Sequence, residues 1–281
     1  MPTYLERYLA GEREEVWAEL SARGPAIRAE PLFAEAQAVA RATMMRARAN
    51  VALLVQRLTS LGYRFIGDAL GPRPTPYMPP SGESLAALRE LEHQYGPLPL
   101  SIETWYEVVG AVDLMGVYPR LSTFEGMGAE GYIDMMLGGE RIRIRSDFPF
   151  YVQGAPPSME PFDPDAGIAA DPLVVWPCID ALVDELELPP DEAGSGPRVQ
   201  YSLGFAPDAL HKANVSGGDG PHIAFGDASM DAPLQGDDWE GVPFVSYLRT
   251  AFAWGGFPGL REAVGPPRNL LATLCEGLHP L

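Results

Sequence analysis

The chain has 281 residues, 46% of them hydrophobic and 10% aromatic, which is ample for a sizeable core and too apolar for global disorder. Its formal net charge is −18 and unevenly spread: residues 1–70 hold 9 Arg against 8 Asp/Glu, whereas 160–240 hold 17 acids against only Arg198 and Lys212. A field of that sign repels phosphate backbones and anionic lipid, which disfavours nucleic-acid and membrane binding and suits a basic protein partner.

The first 70 residues predict a helical extension in the form of a helical hairpin. Glu12–Ala22 is a good helix former stopped by Gly24-Pro25, and a longer helix is expected from about Pro31 to Ser60, with Pro31 suited to a first helical position. Phe33, Ala36, Ala40, Met44, Ala47, Val51, Leu54, Leu58 and Leu61 recur at steps of three and four, an apolar stripe that must pack on something. Arg41, Arg46, Arg48 and Arg57 lie on its flanks and beyond, suited to docking on the acidic part of the chain. Residues 71–82 (GPRPTPYMPPSG) hold five prolines and read as a stiff linker before a domain spanning 83–281. Ser84 is placed to cap a helix over Leu85–Tyr95 ending at Gly96-Pro97, and Ser101 a helix over Ile102–Val109 closed by Gly110.

The middle of the chain is strand-like. Tyr132–Leu137 and Arg141–Arg145 flank Gly138-Gly139, a hairpin signal. Further strands are expected at Leu173–Trp176, Val199–Phe205 and His222–Phe225, and helices at Ile179–Glu187, Pro243–Trp254 and Arg268–Gly277. Helices towards the ends with strands between predict an α+β fold with a mainly antiparallel sheet. Cys178 and Cys275 sit far apart in apolar contexts and read as free thiols of a reducing compartment. The opening MPTYLERYLAGEREE lacks a basic start and an apolar core, so no signal peptide is expected, and no apolar run is long enough to span a bilayer. A cytoplasmic protein is the expectation.

The stretch LAALRELEHQYGPLPLSIETWYEVVGAVDLMG resembles the opening of SMI1/KNR4-like (SUKH superfamily) domains: a helix ending in Gly, a Leu-Pro step, then a short helix with an aromatic pair and a closing Gly. Leu91, Gly96, Leu98, Pro99, Trp105, Tyr106 and Gly110 occupy those places. DPLVVWPCIDALVDEL is similar to the family's internal strand and helix, and His222–Phe225 followed by an acidic loop and PFVSYLRTAF to its ending. The resemblance covers about residues 83–260, with an insertion near 120–165. It implies a non-enzymatic α+β protein-binding domain, in bacteria an immunity-type antagonist of a toxin that acts by occlusion. Many such toxins are basic nucleases, which an acidic inhibitor would suit.

Candidate chemistry is sparse. PDALHKANVSGG brings together Asp208, His211, Lys212 (the only lysine of the chain), Asn214 and Ser216. A nucleophile reading pairs Ser216 or Lys212 with His211 as base and Asp208 as its orienter. Turn chemistry explains the same residue types, and triad members usually converge from separate elements. The acids of GDASMDAPLQGDDWEG, namely Asp227, Asp231, Asp237, Asp238 and Glu240, lack calcium-loop spacing and read, together with Trp239, as a partner-facing or solvated loop. Arg141-Ile-Arg-Ile-Arg145 puts three guanidinium groups on one face of a strand, either an anion-binding face or a solvated counter-charge. Phe252, Trp254 and Phe257 are partner anchors or, by burial preference, core. No histidine–cysteine grouping suits zinc, and no glycine-rich nucleotide cradle occurs, so neither metal nor cofactor is expected. The expectation is a protein-binding domain; the alternatives are an enzyme with its site near His211–Ser216, or a scaffold or assembly protein.

Overall fold

A computed structural model of the chain describes residues 2–65, 75–117, 132–137, 140–145, 171–178, 182–188, 198–212, 220–236, 239–261 and 268–281. The N-terminal region is helical, as its pattern predicts. Helix α1 (Tyr4–Ala10), absent from the sequence reading, starts at a capping box in which the Thr3 hydroxyl accepts from the Glu6 N–H and the Glu6 carboxylate accepts from the Thr3 N–H. Helix α2 (Arg13–Ser21) and a 3-10 turn (Gly24–Arg28) lead into the 29-residue helix α3 (Leu32–Ser60). The stripe Ala36, Ala40, Met44, Ala47, Val51, Leu54 and Leu58 is buried as its spacing requires, while Phe33 and Leu61 are half-buried against the same core.

Strand β1 (Arg64–Phe65) follows α3. The proline-rich stretch contributes to a sheet: β2 (Tyr77–Met78) pairs antiparallel with β3 (Ala111–Asp113), Tyr77 opposite Val112. Gly110 makes that approach possible. Its φ is +93°, and a Cβ there would lie 2.3 Å from the Met78 carbonyl oxygen. Between these strands lie α4 (Gly82–Tyr95) and α5 (Leu100–Val108). Both caps differ from the expectation. Ser81, not Ser84, caps α4, its hydroxyl accepting the Ser84 N–H at 3.1 Å. Helix α5 begins after Pro99, so Ser101 lies inside the first turn and its hydroxyl is free for a tertiary contact.

Strand β4 (Gly116–Val117) pairs with β1, and β5 (Tyr132–Leu137) with β6 (Glu140–Arg145) in the expected hairpin. Strand β7 (Val174–Val175) completes the sheet β2–β3–β7. The predicted helix at 179–187 is overturned: Leu182–Leu188 is strand β8, antiparallel to β9 (Arg198–Gly204) along its whole length. Leu182, Leu186 and Leu188 fit a period of two as well as a helical one, and ladder hydrogen bonds to a distant partner override local helix propensity. Strand β10 (His222–Ala224) pairs with the other side of β9. The single turn α6 (Ala209–Lys212) lies between β9 and β10, and α7 (Phe244–Ala253) and α8 (Arg268–Cys275) follow. The chain is therefore α+β with small antiparallel sheets.

The helical extension and the rest share one hydrophobic core. Leu54 of α3 lies beside Leu114 around Gly256, where a Cβ would meet Leu114 Cδ1 at 2.8 Å and Leu54 Cδ1 at 3.2 Å. Two of the α3 arginines bond main-chain oxygens near the C-terminal end of the chain. Arg57 Nη1 donates to the Leu274 carbonyl at 2.7 Å and Arg46 Nη1 to the Pro280 carbonyl at 3.3 Å, while Asn50 exchanges two hydrogen bonds with the His279 backbone. Arg28 pins the 3-10 turn to the start of α5 and to the loop after residue 226. Its guanidinium bonds the Leu98 and Ala228 carbonyls and pairs with Glu103 at 2.7 Å. Among the described residues no helix is long and apolar enough to cross a membrane.

Candidate functional site

Lys212, singled out as the only lysine, ends α6 with its backbone N–H bonded to the Asp208 carbonyl. Its side chain turns inward and is 2% exposed, its ammonium donating to Asp171 Oδ1 at 2.5 Å. Asp171 sits just ahead of β7 at φ +40°, a left-handed conformation that Asp adopts more readily than most side chains. Its second oxygen accepts the Trp239 indole N–H at 3.1 Å. Trp239 is buried, packs edge-on against Tyr247 of α7 with centroids 4.7 Å apart, and is covered by the Arg261 guanidinium at 5.4 Å. One carboxylate thus joins the segment before β7, the turn α6 and the loop before α7.

This geometry favours holding over reacting. A carboxylate accepting an ammonium and an indole N–H has its charge compensated, and removing either partner would strand a buried charge. Asp208 is buried with its own polar partner. The His211 side chain, Asn214 and Ser216 lie outside the described residues. Around the pair, the Tyr247 hydroxyl is sealed without a hydrogen bond, and burial raises its pKa, with the Asp171 charge adding to the shift.

The acidic loop is likewise engaged with its own fold. Asp231 is a clasp between two helix starts: Oδ1 accepts the Ser101 hydroxyl at 2.8 Å in the first turn of α5, and Oδ2 accepts the Val245 N–H at 3.1 Å in the first turn of α7. A carboxylate there complements both helix dipoles and satisfies a backbone donor. The α5 start gains two more bonds, from the Leu100 and Ser101 N–H groups to the Ser229 and Met230 carbonyls. Burial pushes the Asp231 carboxyl up to about 7, against the pull of its hydrogen bonds and Arg249. Asp227 Oδ1 accepts the Ser229 N–H at 2.9 Å, a local turn bond, and Glu240, exposed, accepts the Gly236 N–H at 2.6 Å. Asp237 and Asp238 lie outside the described residues, and Trp239 faces the ion pair rather than solvent. The described residues hold no group of three His, Cys, Asp or Glu suited to a metal.

Two polar features escaped the sequence reading because their members are far apart in the chain. Glu103 and Glu92 sit together where Arg28 docks, and desolvation raises the Glu103 carboxyl to about 7 despite Arg28. The other is a group of arginines around Tyr8. For the ion pair a signal was present: a chain with one lysine and 30 Asp/Glu after residue 70 offers that lysine an abundance of carboxylates. Of the predicted anchors, Phe252 and Phe257 are core and Trp254 is half-buried against it. The side chains of Arg141–Arg145 lie outside the described residues. Comparison with family models, with curated proteins and with solved structures finds no match to this chain.

Proposed function

We propose that the chain is a cytoplasmic SMI1/KNR4-like (SUKH superfamily) protein that binds a basic protein partner, as an immunity-type antagonist occluding a toxin. The observation that carries this reading is the charge: residues 160–240 hold 17 acids against 2 bases, and Asp184 and Glu185 stand exposed on strand β8. Such a field accelerates encounter with a cationic protein and opposes approach to nucleic acid. The order of elements is in keeping with the resemblance: α4, the Gly96–Pro99 step, α5 with buried Trp105 and Tyr106, then strands, then α7. Two free cysteines, one of them buried, agree with a reducing compartment. The inward use of Asp171, Lys212, Asp231 and Trp239 supports recognition by the outer surface rather than chemistry at these groups.

The test is co-expression with the toxin-like product of a neighbouring gene, followed by calorimetric titration of the purified pair at low and moderate salt. Rescue of growth and a salt-weakened complex support the reading. Absence of rescue together with absence of binding at low salt overturns it.

A further inference from the structure

The sheet formed by β8, β9 and β10 is closed on one side and open on the other. Strand β9 is paired along both flanks. Beyond it, β10 is bridged again: the His222 N–H donates to the Gln235 carbonyl at 3.0 Å and the Gln235 N–H to the His222 carbonyl at 2.9 Å. Strand β8 pairs with β9 over all seven residues, Leu182–Leu188, and among the described residues no strand lies on its other side. In an antiparallel ladder every second residue turns its N–H and C=O away from the partner strand. The outer edge of β8 therefore presents a row of backbone donors and acceptors to whatever comes beside it.

The cover over this sheet also runs out at β8. Residues directly opposite one another share a face, and two such rows can be followed across the strands. In the first, Ile223 and Leu203 are wholly buried, but Val183 of β8 is only half-buried. In the second, Phe225 is buried and donates its N–H to the Tyr201 carbonyl at 2.8 Å, Tyr201 is half-buried, and Glu185 of β8, opposite Tyr201, is exposed. The Tyr201 ring packs against Tyr95 of α4 with centroids 4.8 Å apart. An aromatic pair thus lies directly inboard of the Glu185 carboxylate, a combination that suits a cationic side chain through ion pairing and cation–π attraction together.

We propose that the outer edge of β8 is a docking site for an extended basic segment of a protein partner, which joins the sheet as an additional strand. This rests on the reading of the chain as a binder of a basic protein, and it adds where the partner sits and in what conformation. Main-chain bonds along the edge supply affinity, and the side chains on either face supply selection. Asp184 and Glu185 are successive residues, so they stand on opposite faces, and both are exposed. A cationic side chain on either face of the added strand therefore meets a carboxylate, and on the Glu185 face it meets the tyrosine rings as well. The same two acids rule against a second copy of this chain as the occupant. Pairing of β8 with itself would bring like charges to one seam, which is a common way of keeping an open edge from self-association.

The probe is a short peptide of alternating lysine and threonine, titrated into the full chain, with the corresponding glutamate–threonine peptide as its opposite. The wild type should bind the lysine peptide and not the glutamate one. Hydrogen exchange within 182–188 should slow in the complex, because strand addition closes backbone groups that attraction through charge alone leaves open. The double variant D184K/E185K should weaken the lysine peptide about tenfold and gain binding of the glutamate peptide. E14K/E15K makes the same change of net charge at exposed positions of α2 and should bind the lysine peptide as the wild type does. No binding of the lysine peptide by the wild type, equal weakening in the two double variants, or unchanged exchange at 182–188 overturns the proposal. The toxin-like product of the neighbouring gene separates this proposal from the reading it rests on. Equal binding of that protein by the wild type and D184K/E185K overturns the docking edge alone, whereas its failure to bind the wild type at low salt counts against the broader reading and leaves the peptide results to decide the edge.

Discussion

Lys212 shows how a single residue can be misjudged from its neighbours in sequence. Next to His211, Asn214 and Ser216 it suggests reactivity, but its ammonium is spent on Asp171, 41 residues earlier, at 2% exposure. A buried pair costs desolvation on both sides, so its two halves are worth little apart. Replacing Lys212 by Met leaves Asp171 with the Trp239 indole alone and should lower unfolding stability by about 3–5 kcal/mol in urea denaturation. Combining Lys212→Met with Asp171→Leu removes the stranded charge and should recover much of that loss. A double variant as unstable as the sum of the singles would show that the two side chains act separately.

Between elements, carboxylates do the joining, and they do so at a cost that depends on pH. Asp231 clasps the starts of α5 and α7, and Glu103 meets Arg28 of the 3-10 turn and Glu92 of α4; burial raises each to about 7, from ordinary values of 3.8 and 4.5. A raised folded-state pKa means that the native protein binds more protons than the unfolded chain between those limits. The stability these two groups contribute is full below about pH 4 and is lost as the pH rises through about 7. The wild type should lose more stability between pH 5 and 8 than Glu103→Gln, a variant that cannot ionise, when both are followed by chemical denaturation at each pH. Equal slopes would show that Glu103 titrates normally in the folded state. The elements themselves were legible wherever local chemistry decides them. The α3 stripe, the closing Gly110 and the β5–β6 hairpin could all be read from spacing and turn residues. Ser81 and Ser84 both suit a cap, and only the path of the chain chooses the first; Leu182–Leu188 becomes a strand because β9 is there to pair with it, which local propensity cannot express. The clasp through Asp231 was hidden for the same reason, since Ser101 lies 130 residues away.

At the scale of the whole molecule, the proline-rich stretch at 71–82 marks a junction that the core ignores. Helix α3 buries Ala36, Val39, Ala40, Met44, Ala47, Val51 and Leu54 completely, and its C-terminal half meets α8, the 279–281 segment and the turn at Gly256. A helix with an apolar face this broad gains its stability from what covers it rather than from propensity. Part of the covering surface comes from α1, α2 and the 3-10 turn and part from beyond the junction, at α5, α8 and the 279–281 segment, so extension and remainder should unfold together. Leu54→Ala removes buried methyl groups between α3 and Leu114 and should cost about 2–5 kcal/mol. The informative readout is the shape of the transition. Far-UV circular dichroism, which follows the helices, and tryptophan emission, which reports Trp17 from the extension together with Trp105, Trp176, Trp239 and Trp254 from the remainder, should shift by the same amount and stay coincident. If the two signals separate, with the helical loss preceding the change around the C-terminal tryptophans, the extension is an autonomous unit resting on the rest.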